Sequence, residues 1–230
     1  MYRRDKYTRD RVMKSARLLL PYVKEGETIL DVGCFTWEAR KYFPRDMKYI
    51  GIDQKAYHKE TKVMDLHHGF TPIPASHALC LETLEHLLDP GDVLEALSKS
   101  LLGSGSRLVV SLPNEATIFH RIRSLMGVMD GECFAGQGKH LHLPSLKQSR
   151  LFFLSASWVI EKEEYYISPS AFGSRSAWVG RILSLIPDCI HQFLADKVPS
   201  LFSRGFIFLL KKATPESNPS SQAPEQSHTS

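Results

Sequence analysis

Hydrophobic positions in the first part of the chain form short branched runs, and each run ends in a carboxylate or a glycine. The first run spans 29–33 (ILDVG) and the second spans 49–53 (YIGID). Near-continuous apolar runs of this length are typical of strands that are buried on both faces of a parallel sheet. Between them, residues 38–43 predict a helix that ends before Pro44. This alternation predicts a doubly wound α/β fold, in which ligands bind beyond the carboxyl ends of the strands.

The same patterning continues along the chain, where predicted strands alternate with predicted helices. The remaining strands are expected at 62–66, 78–81, 107–112, 158–167 and 204–211. Helical segments are expected from residue 2 to the region 21–26, and at 55–62, 82–86, 93–102 and 144–156. The first of these is a basic amphipathic helix, and we expect its apolar positions to cover the sheet.

The spacing of two polar positions narrows the kind of ligand. Asp53 lies twenty positions after Gly33, which is where nucleotide-binding folds place the acid that holds the ribose hydroxyls. A dinucleotide fingerprint would also require glycine at positions 35 and 38, and the chain has Phe35 and Glu38 there. Phe35 prevents close approach of the backbone to a pyrophosphate, and Glu38 places a negative charge at the start of a helix. The pattern therefore disfavours a pyrophosphate cofactor and favours a ribose-containing ligand without phosphate.

Five segments in order resemble the motifs of the class I S-adenosylmethionine-dependent methyltransferases, particularly the small-molecule branch that includes ubiquinone-biosynthesis O-methyltransferases. These segments are ILDVGC (29–34), YIGID (49–53), VMDL (63–66), ALCLETLEHLLDP (78–90) and RLVVSLPN (107–114). The resemblance implies a mostly parallel seven-stranded sheet with helices on both faces and an antiparallel seventh strand beside the sixth. It also implies S-adenosylmethionine as the cofactor and a small, apolar or ring-containing molecule as the methyl acceptor.

The resemblance assigns cofactor contacts to five residues. Asp31 and Gly33 would hold the methionine portion, and Asp53 would hold the ribose. Asp65, together with Leu66, would contact the adenine.

The chain departs from the family pattern at the loop that wraps the cofactor. Where the family has G-C-G-T-G, this chain has aromatic rings at Phe35 and Trp37. Both rings could fill the cofactor pocket. A rival hypothesis is therefore a catalytically inactive protein that keeps the fold as a binding or scaffold module.

The sequence E-x-x-E-H at 82–86 leaves three hypotheses open. In the first, Glu82 lines the cofactor pocket near the methionine amino group, and Glu85 and His86 are local polar residues. In the second, Glu85 or His86 is the general base for the acceptor hydroxyl. All three could instead bind Mg²⁺, as in metal-dependent relatives that include small-RNA 3′-terminal 2′-O-methyltransferases, with His140 or His142 as a distal ligand. We assign Glu82 to cofactor binding and Glu85 and His86 to catalysis, with no metal.

The predicted domain organisation is one methyltransferase domain over residues 1–212 and a disordered tail over 213–230. A lid-like insertion is expected at 115–143, because apolar side chains among glycines suit a mobile cover for an apolar acceptor. A helical insertion is expected at 168–203, and its apolar stripe could pack on the body, form a dimer contact or touch a membrane surface weakly.

Composition restricts the partners and the compartment. The net charge of +4 is too small to argue for nucleic acid as a partner. The four cysteines are far apart in sequence and include no CxxC pair, which favours a reducing, cytoplasmic setting without a disulfide framework. We expect no transmembrane segment, because no apolar run approaches the required length. We also expect no signal peptide, because the N-terminus is charged and lacks an apolar region.

Overall fold

A seven-stranded mixed sheet forms the centre of the protein, in a computed structural model that describes residues 6–127, 140–142, 144–167 and 188–213. The strands are β1 (Thr28–Val32), β2 (Lys48–Asp53), β3 (Lys62–Val63), β4 (His77–Leu81), β5 (Leu108–Pro113), β6 (Trp158–Tyr166) and β7 (Gly205–Lys212). Their order in the sheet is β3-β2-β1-β4-β5-β7-β6. Strands β1 to β5 pair in parallel, and β7 is antiparallel to both β5 and β6. The predicted doubly wound sheet is therefore confirmed, including its antiparallel last strand.

Helices cover both faces of the sheet. The α-helices are α1 (Lys6–Leu19), α2 (Pro90–Ser100), α3 (Ile118–Leu125), α4 (Leu146–Ser155), α5 (Asp188–Lys197) and α6 (Pro199–Phe202). Single turns of 3₁₀-helix occur at Leu20–Tyr22, Ala39–Tyr42 and Leu84–His86. None of the helices in the described part of the chain is long and apolar enough to cross a membrane.

Successive side chains along each strand point to opposite faces of the sheet, and this divides the core into two layers. Leu30 of β1 faces α2 and α4, where it shares a buried cluster with Leu94 and Phe153. Ile29 faces the opposite layer and packs in a cluster with Val12 of α1. The carboxyl ends of β1, β2, β4 and β5 thus meet at one edge of the sheet, between the two helical layers.

Local signals explain where two helices begin. At the start of α2, the Asp89 side chain accepts hydrogen bonds from the backbone N–H groups of Gly91 and Asp92. At the start of α4, Ser145 and Gln148 form a capping box, each side chain bonding the backbone of the other residue. Both caps satisfy N–H groups that a helix cannot pair internally.

Three expected elements differ from the structure. The predicted helix at 55–62 is wrong, because this segment forms turns such as the hydrogen bond from Thr61 N–H to the His58 carbonyl. The predicted helix at 38–43 is only the 3₁₀ turn Ala39–Tyr42, and the third strand ends at Val63 instead of residue 66.

The expected insertions and tail can be compared with the structure only in part. Of the lid-like insertion at 115–143, the structure describes 115–127 and 140–142. Of the helical insertion at 168–203, it describes 188–203, and the expected tail beyond residue 213 lies outside the described residues.

Candidate functional site

The turn after β1 requires glycine at position 33. Gly33 has a φ of 74°, and its N–H donates a hydrogen bond of 2.9 Å to the Ile52 carbonyl oxygen. A Cβ atom at this position would lie 2.1 Å from Thr83 Oγ1, at the end of β4. Any side chain would therefore clash with Thr83 and adopt a strained backbone conformation.

The loop keeps left-handed backbone conformations at both positions where aromatic residues replace the family's glycines. Phe35 has a φ of 43° and Trp37 has a φ of 59°. Each such residue costs on the order of 1–3 kcal/mol and persists only where its surroundings hold it in place.

Both rings contact the segment that follows β2, and the Trp37 ring also lies 5.3 Å from that of Tyr49 in β2. The Trp37 indole stacks on His58 at 4.5 Å between ring centroids and donates from Nε1 to Thr61 Oγ1 at 3.0 Å. The Phe35 ring lies 4.4 Å from that of Tyr57 and remains 40% exposed. These contacts compensate the left-handed backbone and explain why residues 55–62 do not form the expected helix.

Asp53 is the last residue of β2, and it binds the loop after β1 and the loop after β2 at this edge of the sheet. Its carboxylate accepts hydrogen bonds from the backbone N–H groups of Phe35 at 2.9 Å and Lys55 at 3.2 Å. The residue is only half-buried. Because a carboxylate has about four lone-pair sites, acceptor capacity remains for a ligand hydroxyl.

Asp31 is buried within the sheet, one residue before the end of β1. The Tyr49 hydroxyl donates a hydrogen bond of 2.5 Å to Asp31 Oδ2. Burial raises the pKa of Asp31 to about 7, the Tyr49 hydrogen bond opposes this rise, and the charge of Asp53 adds to it. The two acids thus lie near the ends of adjacent strands, where the charge of Asp53 affects the pKa of Asp31.

The two residues that are candidates for contact with the adenine lie just beyond β3. Asp65 is exposed, and its Oδ1 accepts a hydrogen bond of 3.0 Å from the His67 N–H. Leu66 is buried in the core, so its side chain serves packing.

Glu82 begins the turn after β4 and is held by side chains from two distant elements. Its Oε1 accepts a hydrogen bond of 2.6 Å from the Tyr166 hydroxyl of β6, and its Oε2 lies 3.0 Å from Arg11 Nη1 of α1. Sequence reasoning missed Arg11 and Tyr166, because no local pattern connects residues 71 and 84 positions from Glu82.

Glu85 is the most unusual carboxyl group of this region. The residue is 1% exposed, and among the described residues neither carboxylate oxygen has a hydrogen-bond partner. Burial and the nearby charge of Glu82 raise the pKa of Glu85 well above its usual value.

Glu85, His86 and His140 come together in space. One ligand atom from each lies within 4.8 Å of the other two. The rings of His86 and His140 are 4.8 Å apart, whereas His142 Nε2 lies 2.9 Å from the Leu87 carbonyl oxygen. A carboxylate and two imidazoles are a donor set that fits a divalent cation such as Mn²⁺, with His140 as the distal member. The chain thus brings together two of the three E-x-x-E-H side chains, and Glu82 contacts Arg11 instead.

Glu115 supports this histidine from the opposite side, and sequence reasoning gave it no role. Its Oε1 lies 2.8 Å from His140 Nδ1. Burial alone would raise the pKa of Glu115, but the hydrogen bond and charge of His140, helped by His120, lower it below its usual value. The arrangement orients His140 in the way that outer carboxylates orient metal-binding or catalytic histidines.

A cavity of about 460 Å³ lies beside Glu85, between the Leu84–His86 turn and α4. Asp31, Gly33 and Asp53 are not among its lining residues. Leu112, at the carboxyl end of β5, and Leu84 and Glu85, which follow β4, line it instead.

No protein-family model and no curated protein matches the sequence. Solved structures do match: a SAM-dependent methyltransferase from Archaeoglobus fulgidus is 17% identical, with a TM-score of 0.58 over 90% of this chain and 96% of that one. Magnesium protoporphyrin IX methyltransferase from Synechocystis, solved with SAH, is 12% identical, with a TM-score of 0.56 over 90% and 84%. The [4+2]-cyclase SpnF is 14% identical, with a TM-score of 0.53 over 88% and 81%. At these identities the comparisons show the fold, which is the Rossmann-like methyltransferase fold.

Proposed function

We propose that this chain is an S-adenosylmethionine-dependent methyltransferase that acts on a small, largely apolar acceptor. The observation that carries the proposal is the pair of acids Asp31 and Asp53 at the ends of adjacent strands, beside the left-handed turn at Gly33, in a sheet of the methyltransferase type. The cysteines Cys34 and Cys80 are buried free thiols. They support a reducing, cytoplasmic setting for this enzyme.

In this proposal, each acid has a separate task. Asp53 holds the ribose hydroxyls with its remaining acceptor capacity, and Asp31 with Gly33 contacts the methionine portion. Asp65, together with the backbone of the buried Leu66, contacts the adenine. Glu82 presents its carboxylate, held by Arg11 and Tyr166, toward the amino group of the methionine portion.

The cofactor supplies an electrophilic methyl group, and the protein positions the acceptor and removes its proton. S-adenosylmethionine held by Asp31, Gly33 and Asp53 would supply the methyl group, and its sulfur would be the leaving group when the acceptor oxygen attacks. The hydroxyl proton passes to Glu85 or to His86, whose Nε2 lies 3.9 Å from Glu85 Oε1. These two residues are our catalytic candidates.

Calorimetry with S-adenosylhomocysteine, the demethylated product, tests the proposal. We expect wild-type protein to bind it and Asp53→Ala to bind it about 30-fold more weakly, which corresponds to about 2 kcal/mol for a charge-assisted hydrogen-bond pair. Asp46→Ala, which removes an exposed loop carboxylate, is the matched control and should bind like wild type. Equal affinities for all three proteins would contradict the role of Asp53.

A non-catalytic binding module is the second candidate, because Asp53 and Glu82 already have protein partners. Thermal melting separates the two hypotheses, since a ligand that binds only the native state raises its melting temperature. A rise of several degrees with millimolar S-adenosylhomocysteine supports the enzyme. No rise at that concentration supports the module.

The cluster of Glu85, His86 and His140 also supports a metal-dependent form of the reaction, of which RNA 2′-O-methylation is one example. A bound divalent cation would lower the pKa of an acceptor hydroxyl. Titration of EDTA-treated protein with Mn²⁺ tests this, with His140→Ala as the variant that should lose binding. Comparable binding by His142→Ala and wild type would assign the distal ligand to His140.

A further inference from the structure

Helix α3 carries apolar side chains on its solvent side. Ile122, Leu125 and Met126 are all exposed, and Leu125 is 87% exposed. Leu125 and Met126 follow Ile122 by three and four positions, so the three residues share one side of the helix. His120 lies on the other side, where its Nδ1 is 4.0 Å from Glu115 Oε2. A helix that covers a core has the opposite orientation, with its apolar side turned inward.

Helix α5 also exposes apolar side chains. Ile190 and Phe193, which are three positions apart, are both exposed. His191 and Ala195, on the other side of the helix, are buried. Lys197 lies on the exposed side, with its Nζ 5.8 Å from the centre of the Phe193 ring. Helix α5 therefore packs on the body through one side and presents apolar side chains and a cation on the other.

Both helices are attached to the body at one corner of the sheet. Asn114 directly follows β5, and its side-chain Nδ2 donates hydrogen bonds to the carbonyl oxygens of Pro199 at 3.3 Å and Ser203 at 2.9 Å. Helix α3 begins four residues after Asn114, and α5 is followed almost at once by α6, which begins at Pro199. The two helices therefore extend from the same corner, at the carboxyl edge of the sheet.

The charge of these two parts of the chain is positive. Residues 116–129, which include α3, contain two arginines and no acidic residue. Residues 168–187, which precede α5 in the sequence, also contain two arginines and no acidic residue. These four arginines outnumber the two aspartates of α5, one of which, Asp196, accepts a hydrogen bond of 2.7 Å from Gln192. An anionic partner complements this charge, whereas a second copy of the chain would bring like charges together.

Clusters of exposed apolar side chains mark interaction sites, and a helix with such a cluster beside basic residues is typical of proteins that lie on a membrane surface. We infer that α3 and α5 dock this protein on a membrane that contains anionic lipids. The side chains of Ile122, Leu125 and Phe193 enter the boundary between headgroups and acyl chains. Arg121, which is also exposed, contacts the lipid phosphates. This inference does not depend on methyl transfer.

Co-sedimentation with lipid vesicles tests the inference on the full chain without cofactor. One set of vesicles contains phosphatidylcholine alone, and the other contains equal parts of phosphatidylcholine and phosphatidylglycerol. We expect binding to the mixed vesicles to be tighter by about tenfold or more, since each basic residue near an anionic surface contributes about fivefold. Added salt should weaken this binding, because it screens the lipid charge. Failure to bind, or equal binding to both kinds of vesicle, would overturn the inference.

Variants at exposed apolar positions assign the binding to the two helices. Leu125→Asp and Phe193→Asp should each weaken binding to the mixed vesicles by about tenfold or more, because each replaces an apolar side chain in the lipid with a negative charge. Leu102→Asp, at a leucine that is 62% exposed and lies outside both helices, is the matched control and should bind like wild type. Because all three side chains are exposed, urea unfolding should show wild-type stability for each variant. Wild-type affinity of Leu125→Asp or of Phe193→Asp would overturn the inference.

Arg121 tests the contribution of charge. Arg121→Gln should weaken binding to the mixed vesicles about fivefold, whereas Arg121→Lys keeps the charge and should bind like wild type. Arg121 Nε also donates a hydrogen bond of 2.8 Å to the Ala116 carbonyl oxygen. An equal loss in both variants would assign the effect to this hydrogen bond and overturn the contact with lipid phosphates.

Sedimentation velocity without lipid separates a membrane from a second copy of the chain as the occupant of this surface. We expect a monomer, because the arginines of two copies repel each other. A dimer that Leu125→Asp dissociates would assign the surface to self-association and overturn the inference.

Discussion

The backbone N–H of Phe35 donates a hydrogen bond of 2.9 Å to Asp53 Oδ2. The carboxylate expected to hold a ribose therefore also fixes the loop after β1, in which Phe35 has a φ of 43°. Because Asp53 closes the loop and is the residue that we propose to bind the ribose, we expect substitutions at this residue to affect both stability and binding.

Two substitutions at Asp53 separate these effects. Asp53→Asn keeps an oxygen that accepts from Phe35 N–H, whereas Asp53→Ala leaves this donor and that of Lys55 without the acceptor. We expect Ala to lower the free energy of unfolding by about 1 kcal/mol more than Asn does, since a typical hydrogen bond contributes about that much. Urea unfolding measures the difference. Both variants should lose affinity for S-adenosylhomocysteine, and equal stability of the two would contradict the loop-fixing role.

The left-handed conformation of Phe35 makes a second prediction. Phe35→Gly removes strain on the order of 1 kcal/mol, and it also removes a ring that is 40% exposed and packs on Tyr57. These effects oppose each other, so the free energy of unfolding should change by less than about 1 kcal/mol. Phe35→Ala removes the same ring without relieving the strain and should be the less stable of the two. Urea unfolding of both variants checks this order, and the opposite order would show that strain is not the governing term.

The strands of the sheet could be predicted because each carries its own local signal. The runs at 29–33 and 49–53 have the apolar density of doubly buried strands, and β1 and β2 form where these runs lie. The helix expected at 55–62 failed for a non-local reason. His58 and Thr61 interact with Trp37, a residue from the preceding loop, and this tertiary contact outweighs helical propensity.

Tyr166 provides a third prediction, which concerns the support of Glu82. Tyr166→Phe removes the hydroxyl that donates to Glu82 Oε1 at 2.6 Å. Glu82, which is partly buried, then lacks this hydrogen bond at Oε1. We expect a loss of about 1–3 kcal/mol in the free energy of unfolding.

The neighbouring Tyr165 is the matched control for this variant. The hydroxyl of Tyr165 donates to Glu163, which also receives hydrogen bonds from Arg150. Tyr165→Phe should therefore cost less than Tyr166→Phe, because Glu163 Oε2 keeps its hydrogen bond from Arg150. In Tyr166→Phe, by contrast, Arg11 remains only at the other oxygen of Glu82, Oε2. Equal losses would show that the Tyr166–Glu82 hydrogen bond adds nothing specific.

The candidate site could be predicted only in part from the sequence. The sequence predicts Asp31 and Asp53 because they lie at the ends of apolar runs, and it predicts Glu85 because this residue belongs to the E-x-x-E-H sequence at 82–86. The partners that set their environments come from distant positions: Tyr49 bonds Asp31, and Glu115 orients His140 across 25 positions. No local sequence pattern predicts that Glu85 is buried. Charged residues are usually exposed, whereas this residue is only 1% exposed.

The raised pKa of Asp31 gives a prediction for the dependence of stability on pH. Burial raises this pKa from 3.8 to about 7, so between these values the folded state keeps a proton that the unfolded state has lost. The contribution of Asp31 to the free energy of unfolding must therefore fall as the pH rises from about 4 to about 7. Above that range this contribution stays constant. Asp31→Asn cannot ionise, and its amide oxygen can still accept from the Tyr49 hydroxyl. Relative to wild type, this variant should gain stability between pH 4 and pH 8, by up to an amount on the order of 4 kcal/mol. Urea unfolding across this pH range measures the gain as a difference between the two proteins, in which the titration of Glu85 cancels. The plot of unfolding free energy against pH for Asp46→Asn should run parallel to that of wild type. A parallel plot for Asp31→Asn would show that Asp31 ionises normally in the folded protein.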